Sequence, residues 1–285
     1  TVLYDHTGNA NHATINGATW STETPILYQP QSKEELQVAV DLWVSDEETA
    51  LATYGDISVW DVSLITDMSF LFQDKNSFNS NISAWDVSNL TNMAYMFKDA
   101  FNFNQPLGSW DVSNVTNMDH TLQGARVFNQ DISSWDVSNV TNMNELFKDC
   151  FVFNGDISNW NVSNVTDLTK TFFNAYEFNS DLSNWSVSNV TSMQYLFSNS
   201  GFNGDISSWD VSSVTNMSNT FKNASSFNSD LSAWDVSNVT VFSSMFDGSG
   251  LSEENKCAIH STWQFNTNWE YDWSSFCQLC PPSNL

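Results

Sequence analysis

From residue 55 onward one arrangement of apolar and polar positions recurs. An Ile or Leu stands at 57, 82, 107, 132, 157, 182, 206 and 231. A Trp follows three residues later (60, 85, 110, 135, 160, 185, 209, 234), and a Val two after that (62, 87, 112, 137, 162, 187, 211, 236). Next come another aliphatic residue, as at Ile65, then Met68 and Phe72 on one helical spacing. Small residues at Ala100, Ala125, Cys150, Ala175 and Ala224 precede Phe-Asn pairs at 78, 103, 128, 153, 178, 202 and 227. The period is 25 residues, with one deletion before Trp209, and eight units span roughly residues 55–250. A period of this length predicts a solenoid whose coils bury their apolar edges against one another.

Within a coil, Ile57-x-x-Trp60-x-Val62 predicts a short strand, with residues 61 and 63 pointing outward. Thr66-Asp67-Met68 predicts the start of a short helical turn with Thr66 as its N-cap. On this spacing the Trp ladder faces inward and is core rather than a row of sugar-binding platforms. The Met and Phe ladders are core too, and the Asn of each Phe-Asn pair is expected to form a hydrogen-bonded ladder.

The pattern changes at both ends. Ser32-Lys-Glu-Glu35 and Ser45-Asp-Glu-Glu48 read as capping boxes. The first opens a helix with Leu36, Ala39, Val40 and Trp43 on one face, the second a short helix through Leu51. Leu251-Ser252-Glu-Glu-Asn255 opens a helix containing Cys257, followed by Trp263, Phe265, Trp269, Tyr271 and Trp273. Asp5–His12 is rich in turn formers, and Ala13–Trp20 alternates like a strand. That stretch is too small for its own core and is expected to dock on the solenoid or on a neighbouring molecule. The chain therefore divides into a strand-forming extension (1–30), a helical cap (31–54), an eight-coil solenoid (55–250) and an aromatic, Cys-containing cap (251–285).

The spacing L-x-x-L-x-L and the sentence D-I-S-x-W-D-V-S-N-V-T-N-M-x-x-x-F-x-x-A-x-x-F-N resemble the BspA-type leucine-rich-repeat surface proteins. The 25-residue branch, the mycoplasma-lipoprotein-associated repeat domain of unknown function, is more similar still, over about residues 32–277. The resemblance implies a leucine-rich-repeat-like solenoid at a cell surface or secreted, with adhesive or interaction roles, and it supplies no catalytic residues. Residues 5–20 resemble a segment of laminin-G-like sugar-binding domains, most of which is missing, so no carbohydrate binding is carried over from it.

Charge narrows the function classes. The chain has 33 acidic and 8 basic side chains, a formal net charge of -25. That excludes phosphate-dominated nucleic-acid binding and attraction to anionic lipid. No apolar run approaches the roughly 20 residues of a membrane span. With 41% apolar and 14% aromatic residues the chain can bury a core. Starting at Thr1 without Met, it reads as a processed or excised fragment.

The polar files are the candidate chemistry. Asp61, Asp86, Asp111, Asp136, Asp210 and Asp235 follow the Trp, with Asn161 and Ser186 completing the file. Unit charges about 4.8 Å apart repel by about 0.9 kcal/mol in water and about 3.5 kcal/mol at an effective dielectric of 20. Such a file needs local hydrogen bonds, partial protonation or a bound cation. Ca²⁺ is the cation that suits carboxylates and carbonyls, although the spacing matches no calcium loop. A second file, Asp56, Asp131, Asp156, Asp181, Asp205 and Asp230, precedes the Ile/Leu position, and a Ser file runs from Ser63 to Ser237. This face suits water, cations or glycans. Sequons occur at Asn81, Asn89, Asn114, Asn139, Asn161, Asn164, Asn184, Asn189, Asn216, Asn223 and Asn238. In a eukaryotic host the row 89, 114, 139, 164, 189 and 238 would place N-glycans along one edge.

A disulfide between Cys257 and Cys277 would staple the C-terminal cap in an oxidising compartment, with Cys280 as alternative partner or free thiol. Cys150 takes the small-residue position as a buried thiol. His6, His12, His120 and His260 have no metal spacing. Asp recurring in every coil is unlike the single interruption an active site makes, so no enzyme is expected. The function expected is an extracellular or cell-surface structural or adhesive module. Its partners would be surface or matrix proteins, glycans or further copies of itself in a fibre or layer. The alternatives are a monomeric glycan- or Ca²⁺-binding adhesin module and, behind it, a polysaccharide-active enzyme.

Overall fold

The computed structural model describes residues 27–278, together with the backbone of Val2–Leu3 and Ala13–Thr14. Those two short strands, β1 (Val2–Leu3) and β2 (Ala13–Thr14), pair antiparallel. The rest of the strand expected through Trp20 lies outside the described residues, as do His6, His12 and Cys280.

Helix α1 (Lys33–Ser45) begins where Ser32 Oγ accepts from the Glu35 N–H at 3.3 Å and the Glu35 carboxylate takes the Gln31 N–H at 2.7 Å. It buries Leu36, Ala39, Val40 and Trp43. Helix α2 (Glu47–Tyr54) is capped by Asp46, not by the expected Ser45. Asp46 accepts from the N–H of Thr49 at 3.1 Å and from its hydroxyl at 2.6 Å. The Asp46 N–H also bonds Leu42 O at 2.7 Å, so one residue ends α1 and starts α2.

The coils stack with equivalent residues in register. Trp85 to Trp234 are only 3–4% exposed. Each of these indole N–H groups donates to the carbonyl of the aliphatic residue one coil back, for example Trp85 to Ile57 at 2.8 Å, Trp135 to Leu107 at 2.9 Å and Trp234 to Ile206 at 3.0 Å. Inward position and partner together make Trp core: its apolar rings are removed from water while its one polar atom is satisfied. Phe rings stack within a coil (Phe97–Phe103, 4.1 Å) and between coils (Phe72–Phe97, 5.3 Å). The Asn ladder is present, with Asn79, Asn104, Asn129, Asn154, Asn179 and Asn203 each accepting through Oδ1 from the N–H of the next Asn.

The strand expected over Ile57–Ser63 does not form. The Trp60 N–H turns back to Ile57 O and the Ile65 N–H to Val62 O, so this stretch is a succession of tight turns. The link between coils lies where a helical turn was expected. Parallel bridges join Asp67, Asn92, Asn117, Asn142, Asp167, Ser192, Asn216 and Val241 in sequence. Thr66 is no N-cap there; the Asp67 carboxylate accepts from the Ser69 N–H at 2.7 Å.

From each bridge the backbone alternates. The N–H groups of Met68, Phe70, Phe72 and Asp74 donate to Asn92, Ala94, Met96 and Lys98 of the next coil, while those of Leu71, Gln73 and Lys75 turn back to Met68, Phe70 and Phe72. The same four inter-coil bonds recur at each of the seven steps. Alternation of this kind requires a left-handed residue twice per coil. One left-handed file is Asp74, Asp99, Gly124, Asp149, Asn174, Asn199, Asn223 and Gly248. These are the residue types that tolerate positive φ best. The other is Phe70, Tyr95, His120, Glu145, Lys170, Tyr195, Asn219 and Ser244, mostly residues that do not.

Both ends of the ladder are covered. At the first coil Gln37 of α1 donates to Leu71 O at 3.1 Å. At the last, the Phe246 N–H finds the Tyr271 hydroxyl at 2.9 Å, and that hydroxyl donates to Asp247. Helix α3 (Glu253–Trp263), capped by Ser252, is tied by the Cys257–Cys277 disulfide to the turn at Ser274–Gln278, and Trp263 stacks on Trp234 at 6.2 Å.

The left-handed files give substitutions of opposite sign. Ser244→Gly should stabilise by about 0.5 kcal/mol, the relief of about 1–2 kcal/mol of positive-φ strain less the entropy cost of Gly. Gly124→Ala should destabilise by more than about 1 kcal/mol, since its φ of 73° disfavours any Cβ and that Cβ would meet the Asp99 carboxylate. Urea denaturation of the two variants checks both signs.

Candidate functional site

Two edges of the stack carry polar chemistry. On the first, each Asp of the candidate cation or ligand file is engaged with its own turn. Oδ1 of Asp61, Asp86, Asp111, Asp136, Asp210 and Asp235 accepts from the N–H of Ser63, Ser88, Ser113, Ser138, Ser212 and Ser237 at 3.0–3.1 Å. The hydroxyls of Ser63, Ser88, Ser113 and Ser212 add a second donor. Ser donors hold Asp61, Asp111, Asp136, Asp210 and Asp235 below the usual carboxylate range. Asn161 serves the same turn without a charge, with Ser163 N–H at 3.1 Å. The second file repeats the device, as at Asp131 with Ser133 and Asp156 with Ser158. Among the described residues, no three His, Cys, Asp or Glu side chains gather as metal ligands.

The sequon row Asn89, Asn114, Asn139, Asn164, Asn189 and Asn238 is exposed on the same side. Each Nδ2 donates to a Ser carbonyl of the preceding coil at 2.7–2.9 Å. The bond uses one of two amide hydrogens, and a glycosylated amide retains one. Cys150 is fully buried, its thiol on Leu122 O, and burial pushes its pKa well up, which disfavours the thiolate.

The second edge is formed by the left-handed turns, and sequence reading passed it over. Every Lys and Arg of the coils lies on this segment: Lys75, Lys98, Arg126, Lys148, Lys170 and Lys222. In its middle, His120 Nδ1 meets Asp119 Oδ1 at 2.7 Å and Nε2 meets Glu145 Oε2 at 3.1 Å. Lys148 and Lys170 each reach Glu145 at 2.8 Å. The imidazole stacks on Tyr95 at 4.4 Å. With a carboxylate at each nitrogen, both must donate, which is the imidazolium form. Burial works to lower the His120 pKa, but the bonds to Asp119 and Glu145 outweigh it and the pKa is raised. Burial likewise works to raise that of Glu145, and His120, Lys148 and Lys170 bring it far below the ordinary range. The cluster's charges are mutually paired, and the pairs clamp neighbouring coils together.

Beside the clamp runs a ladder of alternating chemistry. The Arg126 guanidinium lies over the Phe101 ring at 3.9 Å and the Phe151 ring at 5.6 Å, and Phe151 stacks on Tyr176 at 5.1 Å. Val127, Val152 and Tyr176 beside it are 42%, 40% and 52% exposed. The signal was present in the sequence: positions 120 and 126 and their equivalents differ from coil to coil where almost everything else repeats.

A family model described as "Mycoplasma protein of unknown function, DUF285" matches residues 44–154, 107–201 and 190–271. No curated protein and no solved structure matches the chain.

Because Asn caps the corner as well as Asp does, Asp136→Asn should leave the melting temperature within about 2 °C and Asp136→Ala should lower it. If the Asp file bridged Ca²⁺, the cation would raise the melting temperature of the native chain; local capping predicts no change. For the clamp, the His120 contribution is complete below its unfolded value of 6.5 and lost as pH rises through the raised folded value. The Glu145 contribution is complete above 4.5 and lost as pH falls. The stability gap between native protein and His120→Gln should therefore be widest between pH 4.5 and 6.5 and should narrow towards alkaline pH, as read by thermal melts.

Proposed function

The chain belongs to the DUF285 family, and from that premise we propose that it is a non-enzymatic interaction module of a cell surface, a repeat solenoid that engages its partner through the left-handed turn edge. The observation that carries this reading is the concentration of non-repeating residues there. Identical coils build a frame, and the frame presents Phe101, Arg126, Val127, Phe151, Val152 and Tyr176 together. Aromatic residues and Arg are the types that dominate binding energy at interfaces. The Asp edge lacks them, and its carboxylates are already used by their own turns.

Two further observations support the setting. The Cys257–Cys277 disulfide fits an oxidising, extracellular compartment. No helix among the described residues is long and apolar enough to cross a membrane. The covered ladder ends favour a discrete particle over end-to-end stacking of copies, because unpaired edges are what templates such growth. Lateral association through the turn edge remains the form a homo-polymer would take.

The test is binding by the immobilised full chain to matrix proteins, glycans, intact cells and its own copies. Arg126→Glu with Phe151→Ala should weaken retention by about tenfold or more, while Asp111→Asn with Asp136→Asn should leave it unchanged. Loss confined to the Asp pair would move the ligand to the opposite edge, and retention by both would defeat the reading.

A further inference from the structure

The aromatic ladder stops at a specific place. Phe101, Arg126, Phe151 and Tyr176 occupy equivalent positions in successive coils, and the next coil has Gly201. This is also where the period drops to 24: Ala175-Tyr176-Glu177-Phe178 is answered by Ser200-Gly201-Phe202. The shortened turn brings the Gly201 N–H to Ala175 O at 3.3 Å. A Cβ at residue 201 would collide with the carbonyl of Tyr176. Glycine is therefore required by the close approach, and it leaves the far face of the Tyr176 ring without a stacking partner in the coil that follows.

A groove of about 460 Å³ opens there, lined by Tyr176, Asn199, Gly201, Asn223, Ser225 and Ser226 among others. The side chains of Asn223, Ser225 and Ser226 are exposed to solvent and are not taken up by bonds to other described residues. Asn199 gives one amide hydrogen to Asn174 Oδ1 at 2.8 Å, which leaves its own Oδ1 free to accept. The groove thus offers one aromatic face, several uncommitted donors and acceptors, and no charged lining residue.

We propose that this notch binds a sugar ring of a neutral carbohydrate, which names the ligand class for the interaction edge and rests on that reading. The apolar C–H face of a pyranose would lie on Tyr176, satisfying the weak C–H contacts that an aromatic face offers. Its hydroxyls would pair with the Asn and Ser side chains, which both donate and accept. The groove volume falls in the range of about 300–1,000 Å³ typical of small-ligand sites. Uncharged lining on a chain of net charge -25 selects against anionic sugars and phosphates, which the whole field repels. A peptide is disfavoured because Tyr176 is the groove's single large apolar side chain.

The experiment is isothermal titration of the full chain with neutral oligosaccharides of glucose, mannose, galactose and N-acetylglucosamine. At least one should bind. Tyr176→Ala should weaken it by about tenfold or more, and Tyr176→Phe, which keeps the ring, by much less. Ser226→Asp, which places a charge at the groove, should weaken it as well, and Asp111→Asn, on the opposite edge of the stack, should not. Unchanged melting temperatures will separate these effects from misfolding, as the half-exposed position of Tyr176 leads one to expect. Binding by none of the sugars, or binding indifferent to Tyr176→Ala, overturns the proposal. If a protein partner is then still lost on Arg126→Glu with Phe151→Ala, the interaction edge stands and the carbohydrate assignment alone has failed.

Discussion

Backbone N–H groups in the turn after each bridge point alternately to the next coil and back into their own. Four bonds per step join neighbouring coils through this alternation, and it tolerates no slippage. A shift of one residue would exchange the inward and outward donors and break both sets at once. The register so fixed brings each indole from Trp85 to Trp234 to a carbonyl 27 or 28 residues earlier, lays Phe over Phe, and sets each Asn of the ladder against the N–H of the next. The side-chain ladders therefore depend on a backbone condition, namely two left-handed residues in every coil.

Turn chemistry also accounts for much of the acidity. Asp or Asn stands wherever a coil must change direction, accepting the N–H two residues on, and Asn81 and Asn161 do this without charge. A carboxylate used in this way is a structural acceptor first. The acidic files are thus accounted for by the turns, while the net charge they leave still disfavours anionic partners. The basic and aromatic residues gathered on the other edge are not required by turn geometry, and several hold a backbone conformation that disfavours them.

Much of the architecture was legible because repetition averages out local ambiguity. The buried face of α1, the inward Trp file and the Asn ladder could be read from spacing alone. The link between coils could not. Ile-x-x-Trp-x-Val suits a strand, and it suits equally a pair of three-residue turns that point the same side chains inward. Asp46 displaced Ser45 as a cap because it can serve the end of one helix and the start of the next. The left-handed turn edge was missed for a different reason: reading what recurs directs attention away from His120, Arg126 and Tyr176, which do not recur.

The covered ends have a consequence for how such a molecule can change. Each coil donates to the coil after it and accepts from the coil before it in the same pattern, so a whole unit can be gained or lost by unequal recombination between repeats without altering either end of the ladder. Length is then heritable in discrete increments. Every increment adds one more variable residue to the exposed row while leaving the scaffold's folding rules untouched. A lineage of these proteins can lengthen its exposed row by counting, before any point mutation is needed.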